Sequence, residues 1–523
     1  MSAWNKSAMG YDPEGVAQTM PWRWIALESA VLFVLCSFLF YWSIATDPGP
    51  FEGDTLFHYK MARLVLERGP WISIDNLPYT VLGTHGTDHY WFFHVLVSPF
   101  TLLGDDVKDI LLACALVGAL VPAVYLPLLR CNRVPWAPIV ALLMASASSL
   151  LPARLIELRG QNFALPMLIA VMFALLGRRR WLAGIGTFVF MQGYQAAVLL
   201  AMFCFVIVVA QRYREGSADW KGVLAVVYGG ALGLLLSPWF PENVRYLIFT
   251  TFFKVAHAEY DMPGILGTEW LRPGWAHIAR ESWPAHVVFF GSLAAAAWLT
   301  WRRRVRWSTA AITSVAVTLA FLAMYRGVAW RMGEYYVPFA ILSAGLIWRD
   351  AGPLARAAGR AGMPHAPALA LAAVMAVSLR QGLSFASDVI VKPVTQYQAM
   401  MRYVDSHDAK PMVFNSSWSD YMVLFYHSRN ANFVAGMDGH YLLYGDPQRF
   451  KLWYNIGNGA MHGSPNIAAT IHERFAARWA VVARGHVGLA ADLARDRDAR
   501  LVALDDYGWL FELKGDGQPW PAT

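Results

Sequence analysis

The chain has 523 residues, of which 57% are hydrophobic and 15% charged; with its 41 glycines, about 65% fall in the set that makes up roughly 45–50% of a soluble domain. So few charges cannot cover so much apolar surface in water, which excludes a soluble enzyme and a disordered chain. The net charge of +7 does not indicate nucleic acid, because the basic clusters sit between apolar runs and build no basic face.

Residues 1–20 are polar, include Asp12 and Glu14, and carry no cleavage-like small-residue site, so the first apolar run reads as an uncleaved anchor. Runs suited to a ~30 Å hydrocarbon core occupy 24–45, 109–129, 136–152, 162–177, 182–191, 195–211, 222–238, 285–300, 308–325, 335–348 and 366–382. They make about eleven crossings. The division between 191 and 195 rests on the polar break Gln192-Gly193-Tyr194-Gln195.

With a cytoplasmic N-terminus, each inside loop is basic, including Arg130 and Arg133, Arg178 to Arg180, Arg212, Arg214 and Lys221, Arg302 to Arg304, and Arg349, Arg356 and Arg360. That is the positive-inside bias. The run Trp91 to Leu103 is short for a crossing and reads as an interfacial or re-entrant helix. The cysteines Cys36, Cys114, Cys131 and Cys204 lie in or beside apolar runs and give no exported domain a disulfide framework.

Left outside are a long first loop 46–108, loops at 153–161, 239–284 and 326–334, and a tail from about 383. The tail alternates β-like runs (Pro411 to Asn415, Ala431 to Ala435, Trp479 to Ala483, Arg500 to Leu504, Gly508 to Leu513) with helical stretches (Val394 to Ser406, Asn466 to Arg478). This pattern is that of a small α/β domain. The expected fold is a polytopic α-helical membrane protein of about 11 to 13 transmembrane helices, with a membrane domain 1–382 and an extracytoplasmic α/β domain 383–523.

Charges on the outer side need a reason. Glu52 and Asp54, two residues apart, can converge on one cation or one acceptor proton. Asp54 or Thr55 would also cap a helix from Leu56 to Arg68, but capping explains neither Glu52 nor His58. Farther along the loop stand His85, His89 and His94; their spacing is not that of a zinc site. Arg154 and Arg159, with Glu157 between them, and Arg331 run against the inside bias and suit a phosphate at the membrane surface. Snorkelling, or an Arg331–Glu334 pair, is the plainer reading. The loop 239–284 holds Glu259, Asp261 and Glu269, none within a motif.

This order of parts resembles the catalytic subunit of oligosaccharyltransferases, within the wider GT-C class of membrane glycosyltransferases. Gly53-Asp54 through Gly69 is similar to the acidic first-loop segment of that family, and Ile110 to Arg154 to its second and third spans. Arg331-Met-Gly-Glu-Tyr-Tyr-Val-Pro338 is similar to the segment whose arginine contacts the donor phosphate. Trp418-Ser-Asp-Tyr421 resembles its Trp-Trp-Asp-Tyr acceptor motif, and Gly436-Met-Asp-Gly-His440 a segment of bacterial members.

The resemblance implies a GT-C fold in a bacterial inner membrane, with the C-terminal domain periplasmic. It implies transfer of a sugar or oligosaccharide from a polyprenyl-phosphate or diphosphate carrier to a protein or cell-envelope glycan. Asp54, Glu52 and Glu157 would be catalytic, and Arg331, Arg154 and Arg159 would bind the donor phosphate. His58, Tyr59, Glu269, Trp418, Asp420 and Tyr421 would meet the acceptor. The family uses Mg or Mn, which would sit on Asp54; here Gly160-Gln161-Asn162 stands where the family carries paired acids, which argues against metal dependence. A transporter or flippase of lipid-linked sugars is the alternative. It calls for paired halves and ionisable groups at the bilayer midplane, whereas these polar residues crowd one face.

Overall fold

The structure is a computed structural model and describes residues 20–50, 52–254, 267–302, 305–352, 366–388, 392–515 and 520. Glu259, Asp261, Arg303, Arg304, Arg356, Arg360 and the polar N-terminal stretch lie outside the described residues.

Each apolar run carries helix, but 136–152 is broken into Ala137–Ser146 and the start of Leu151–Ile156. Five are long and apolar enough to cross a membrane: Trp22–Ile44, Val107–Cys131, Ala197–Glu215, Trp283–Trp301 and Thr309–Gly327. Shorter apolar helices, among them Ala137–Ser146, Gly160–Leu176 and Trp220–Leu235, pack between them. The first helix shows why a membrane is needed: Trp22, Val31, Val34, Phe38 and Trp42 all face outward, while Leu32, Cys36, Phe40 and Ile44 are buried. That outer face is apolar and matches lipid rather than water.

The break at 192–194 is real. Arg180–Gly193 ends at Tyr194, whose backbone is extended, and Ala197–Glu215 starts afresh. Glycine sets the closest helix contact nearby, because a Cβ on Gly229 would overlap the backbone of Gly184. Small residues let two apolar helices approach in this way. Trp91–Val97 continues as a 3₁₀ turn, Ser98–Leu103, and the pair is too short to cross.

The C-terminal part carries a five-stranded mixed sheet of β1 (Met412–Asn415), β2 (Asn432–Phe433), β3 (Trp479–Ala483), β4 (Ala499–Leu504) and β5 (Gly508–Leu513) in the order β2-β1-β3-β5-β4. β1 runs parallel to β2 and β3, and β5 antiparallel to β3 and β4. Strand alternation gives the sheet two different faces. Phe414, Ala480, Val482 and Phe511 pack under the helices Pro447–Gly457, Ile467–Phe475 and Val487–Arg495. Val413, Val481 and Leu510 face the other way, into one core with Tyr421, Phe425 and the first-loop helix Gly53–Arg68. This shared core places the sheet domain over the first loop. The helix Ala366–Asp388 runs through position 382, so no break in secondary structure falls there.

Candidate active site

The site is built on a sharp bend between two short helices. Leu151–Ile156 carries Arg154 in its last turn, Glu157 and Arg159 are extended, and Gly160–Leu176 follows. Asn162 clips the bend by donating from Nδ2 to the carbonyls of Leu155 (3.0 Å) and Glu157 (2.7 Å). Gly118 makes room for it, since a Cβ there would overlap the Leu155 carbonyl. The Leu158 N–H donates to Thr55 Oγ1 at 3.3 Å, tying the bend to the helix Gly53–Arg68. That helix begins earlier than capping by Asp54 or Thr55 would require: Glu52 is its N-cap position, extended and making no side-chain cap bond, and Asp54 lies in the first turn. Both acids are therefore left for other partners.

Those partners are the arginines. Arg154 Nη1 lies 2.6 Å from Glu52 Oε1, and Arg159 Nη1 lies 3.1 Å from Glu52 Oε2. Arg159 Nη2 is 3.5 Å from Asp54 Oδ2 and 3.0 Å from Glu269 Oε2. Glu269 also meets Arg154 at 3.4 Å and Arg331 at 3.1 Å. Arg331 stacks on Trp270, 4.6 Å from its centroid, and the Trp330 N–H donates to the Leu271 carbonyl, joining the two loops. Glu334 lies 3.5 Å from Arg154, so in place of a simple i, i+3 pairing with Arg331 there is a network across four segments of the chain. Three of these arginines are nine-tenths or nearly nine-tenths buried, and buried charges need partners.

The acids differ in proton affinity. Burial, joined by repulsion from Glu52 and Glu269, pushes the Asp54 carboxyl up to about 6 against the pull of Arg159 and Arg154. Burial also raises Glu157 well above the usual carboxylate range, with Glu52 adding to it. In Glu269 burial acts the same way, but Arg159, Arg331 and Arg154 outweigh it and hold the carboxyl below its ordinary value. Divergent acids in one site mark separate roles: Glu269 stays charged and holds guanidinium groups, whereas Asp54 can exchange a proton near neutral pH.

Asp54, Glu52, His58, Arg159, Glu269, Arg331 and Trp418 line one cavity of about 480 Å³. Asp54 is 26% exposed within it. Lys392, Trp270 and Tyr441 also line it and were missed in the sequence, where no motif contains them; Asp438, within the Gly436-Met-Asp-Gly-His440 segment, lines it too. Arg331, Trp270, Tyr90 and Tyr441 are shared with a second cavity of about 290 Å³, walled by Val198, Leu199, Met324 and Val328 between membrane helices.

Other expected residues sit elsewhere. Glu157 is buried behind the arginines, 3.7 Å from Arg154 and 3.6 Å from Arg159. Tyr59 turns away from the cavity and donates to the Gly104 carbonyl, because successive helix positions face different sides. Asp420 is buried, accepting from Tyr397 Oη at 2.9 Å and lying 3.7 Å from Lys392. Tyr421 donates to Asn76 at 3.1 Å; the 3₁₀ turn at 418–420 directs only Trp418 and Ser419 to the cavity. His85 pairs with Glu242 outside it.

The carboxylates do not fit a divalent cation. Such an ion needs several oxygen ligands free to turn inward, but those of Glu52 and Glu269 are held by two and three guanidinium groups. Among the described residues no group of three or more His, Cys, Asp or Glu side chains is arranged to hold a metal ion.

No family model and no curated protein matches the sequence. Solved structures do. The oligosaccharyltransferase of Archaeoglobus fulgidus, in the apo form, superposes with a TM-score of 0.61 at 12% identity over 95% of this chain and 75% of its own. ArnT from Cupriavidus metallidurans bound to undecaprenyl phosphate gives 0.58 at 17% identity over 92% and 97%. Arabinofuranosyltransferase AftD from Mycobacteria gives 0.58 at 15% over 96% of this chain and 40% of its own. The chain has a GT-C-like fold.

Proposed function

We propose that this protein is a membrane glycosyltransferase that moves a sugar from a polyprenyl-phosphate or diphosphate carrier to an acceptor, a protein or an envelope glycan, outside the cytoplasm. One observation carries the reading: a polar cavity holding Asp54 and an apolar groove between membrane helices meet at Arg331. A lipid-linked phosphate has this shape, with the tail in the groove and the phosphate on Arg331. The donor class follows the carrier held by the similarly folded ArnT.

Displacement at an anomeric carbon needs a base for the acceptor and positive charge for the departing phosphate. Asp54 takes the acceptor proton. Arg331 and Arg159, kept charged and fixed by Glu269 and Glu52, stabilise the phosphate that leaves. Arg154 and Glu157 act from behind: Arg154 positions Glu52, and Glu157 packs behind Arg154 and Arg159. On this reading about eleven helices cross the bilayer, the N-terminus is cytoplasmic, and residues 383–523 form the domain on the side of the cavity.

The test is purified protein in liposomes with radiolabelled polyprenyl-phosphate sugar and an envelope extract. Label passing to the extract supports transfer. Label crossing the bilayer while still on its carrier supports the transporter reading instead, and neither result overturns both.

A further inference from the structure

Behind the cavity wall three residues of the first loop form a chain of hydrogen bonds. His58 Nδ1 lies 2.7 Å from His94 Nε2, and His94 Nδ1 lies 2.6 Å from Asp88 Oδ2. The other Asp88 oxygen accepts from the Tyr90 N–H at 3.0 Å, which fixes the carboxylate. Asp88, His94 and His58 are all buried, at 3%, 0% and 4% exposure. His58 alone reaches the cavity, one helical turn after Asp54 and so on the same face.

The chain orders the protons. An ionised carboxylate only accepts, so His94 donates from Nδ1 and its Nε2 is left as a lone pair. His58 must then donate from Nδ1, which leaves its own Nε2 unprotonated. The surroundings favour that neutral state: burial first, then the nearby Arg159 guanidinium, hold the His58 pKa well below its ordinary value. Tyr90 and Phe93 stand edge-on to the ring at 5.0 and 5.5 Å and keep it from turning.

We propose that the Asp88–His94–His58 chain fixes His58 as a hydrogen-bond acceptor beside Asp54, so that the substrate receiving the sugar presents two donor groups together, the chemistry of a polyhydroxylated glycan. One hydroxyl gives its proton to Asp54 and attacks; a neighbouring hydroxyl hydrogen-bonds to His58 Nε2 and keeps its proton. A lone serine hydroxyl would leave the His58 lone pair unmet in a desolvated wall, which disfavours it. His94 and Asp88 are positioning residues, acting through the tautomer of His58. The inference rests on the glycosyltransferase reading.

The experiment uses the full-length protein, radiolabelled polyprenyl-phosphate sugar, a panel of methyl hexosides and pentosides, and a peptide containing Ser, Thr and Asn. Labelled glycosides are expected, and label on the peptide alone overturns the inference while leaving the transferase reading intact. A wild-type protein that consumes no donor overturns both. In His58→Leu and Asp88→Asn the KM for the labelled glycoside should rise roughly tenfold, the effect of one lost hydrogen bond, with the donor KM unchanged. His58→Gln, whose amide oxygen still accepts, should recover most of that loss. Equal changes in both KM values, or no recovery in a Gln variant that keeps its thermal stability, would mean that the three residues only support the fold.

Discussion

Arg159 Nη2 and Glu269 Oε2 lie 3.0 Å apart, joining loops separated by 110 residues. With Glu52 at 3.1 Å on the other arm of the guanidinium, Arg159 is the strut between the segments 46–108, 153–161 and 239–284. Removing one member of a buried pair strands its partner, at a cost of about 3–5 kcal/mol. Arg159→Gln should lower the thermal stability of the detergent-solubilised protein on that scale. Glu269→Gln should do the same, and the double variant should lose less than the sum of the two, because neither charge is then left facing an empty site.

Asp54 supplies a prediction with a pH. Its carboxyl accepts a proton only when ionised, so transfer should climb as pH rises through about 6 and fall about tenfold per unit below it. Glu52→Gln removes a neighbouring negative charge and should move this limb to lower pH. Asp54→Asn should cut kcat by about 10²–10⁴-fold with the protein still folded. The stability linkage has the opposite sign. A carboxyl raised in the folded state binds its proton more tightly there, so stability contributed by this group declines between about pH 4 and about 6 as pH rises. The Asn variant should lack that decline. A wild-type rate already flat from pH 5 would remove Asp54 from the base role.

Much of the frame was legible because periodicity carries it. Apart from 136–152, which breaks after Ser146, each apolar run folded as a helix, the Gln192-Gly193-Tyr194 break fell where expected, and the five β-like runs became the five strands. The outer charges were legible for a different reason: Arg154, Arg159 and Arg331 oppose the inside bias, and they converge with Glu52, Asp54 and Glu269. The sequence could not say which neighbours of a motif face the cavity. Tyr59 follows His58 yet points the other way, and Asp420 and Tyr421 are buried in the core although Trp418 just before them lines the cavity. Lys392 and Trp270 come from loops with no repeat or spacing, and only tertiary packing brings them together. The His94–Asp88 contact left a faint trace, the density of histidine and aromatic residues from 85 to 94.

Arg331 sits where the two cavities join and stacks on Trp270. A planar fork that both stacks and grips a phosphate is not replaced by an ammonium. Arg331→Lys should therefore raise the donor KM by roughly tenfold, and Arg331→Ala by more, while the KM for the sugar acceptor stays within about twofold. Trp270→Leu should reproduce part of the donor effect by releasing the guanidinium. Parallel changes in both KM values would place Arg331 in the fold rather than at the phosphate.

Metal removal tests the arginine network from another side. In this site Glu52 and Glu269 spend their oxygens on Arg154, Arg159 and Arg331, and a divalent cation entering between them would have to displace a guanidinium and meet its repulsion. The charge that offsets the departing phosphate thus comes from side chains that cannot be stripped by a chelator. Transfer by the purified protein should survive dialysis against EDTA with less than about a twofold loss, and added Mg or Mn should not raise it. The paired variant Arg159→Gln should behave differently: with its guanidinium gone, Glu52, Asp54 and Glu269 regain free oxygens, and added Mn should restore part of the lost rate. A wild-type enzyme silenced by EDTA and revived by one metal would show that the guanidinium groups yield their place in the working state.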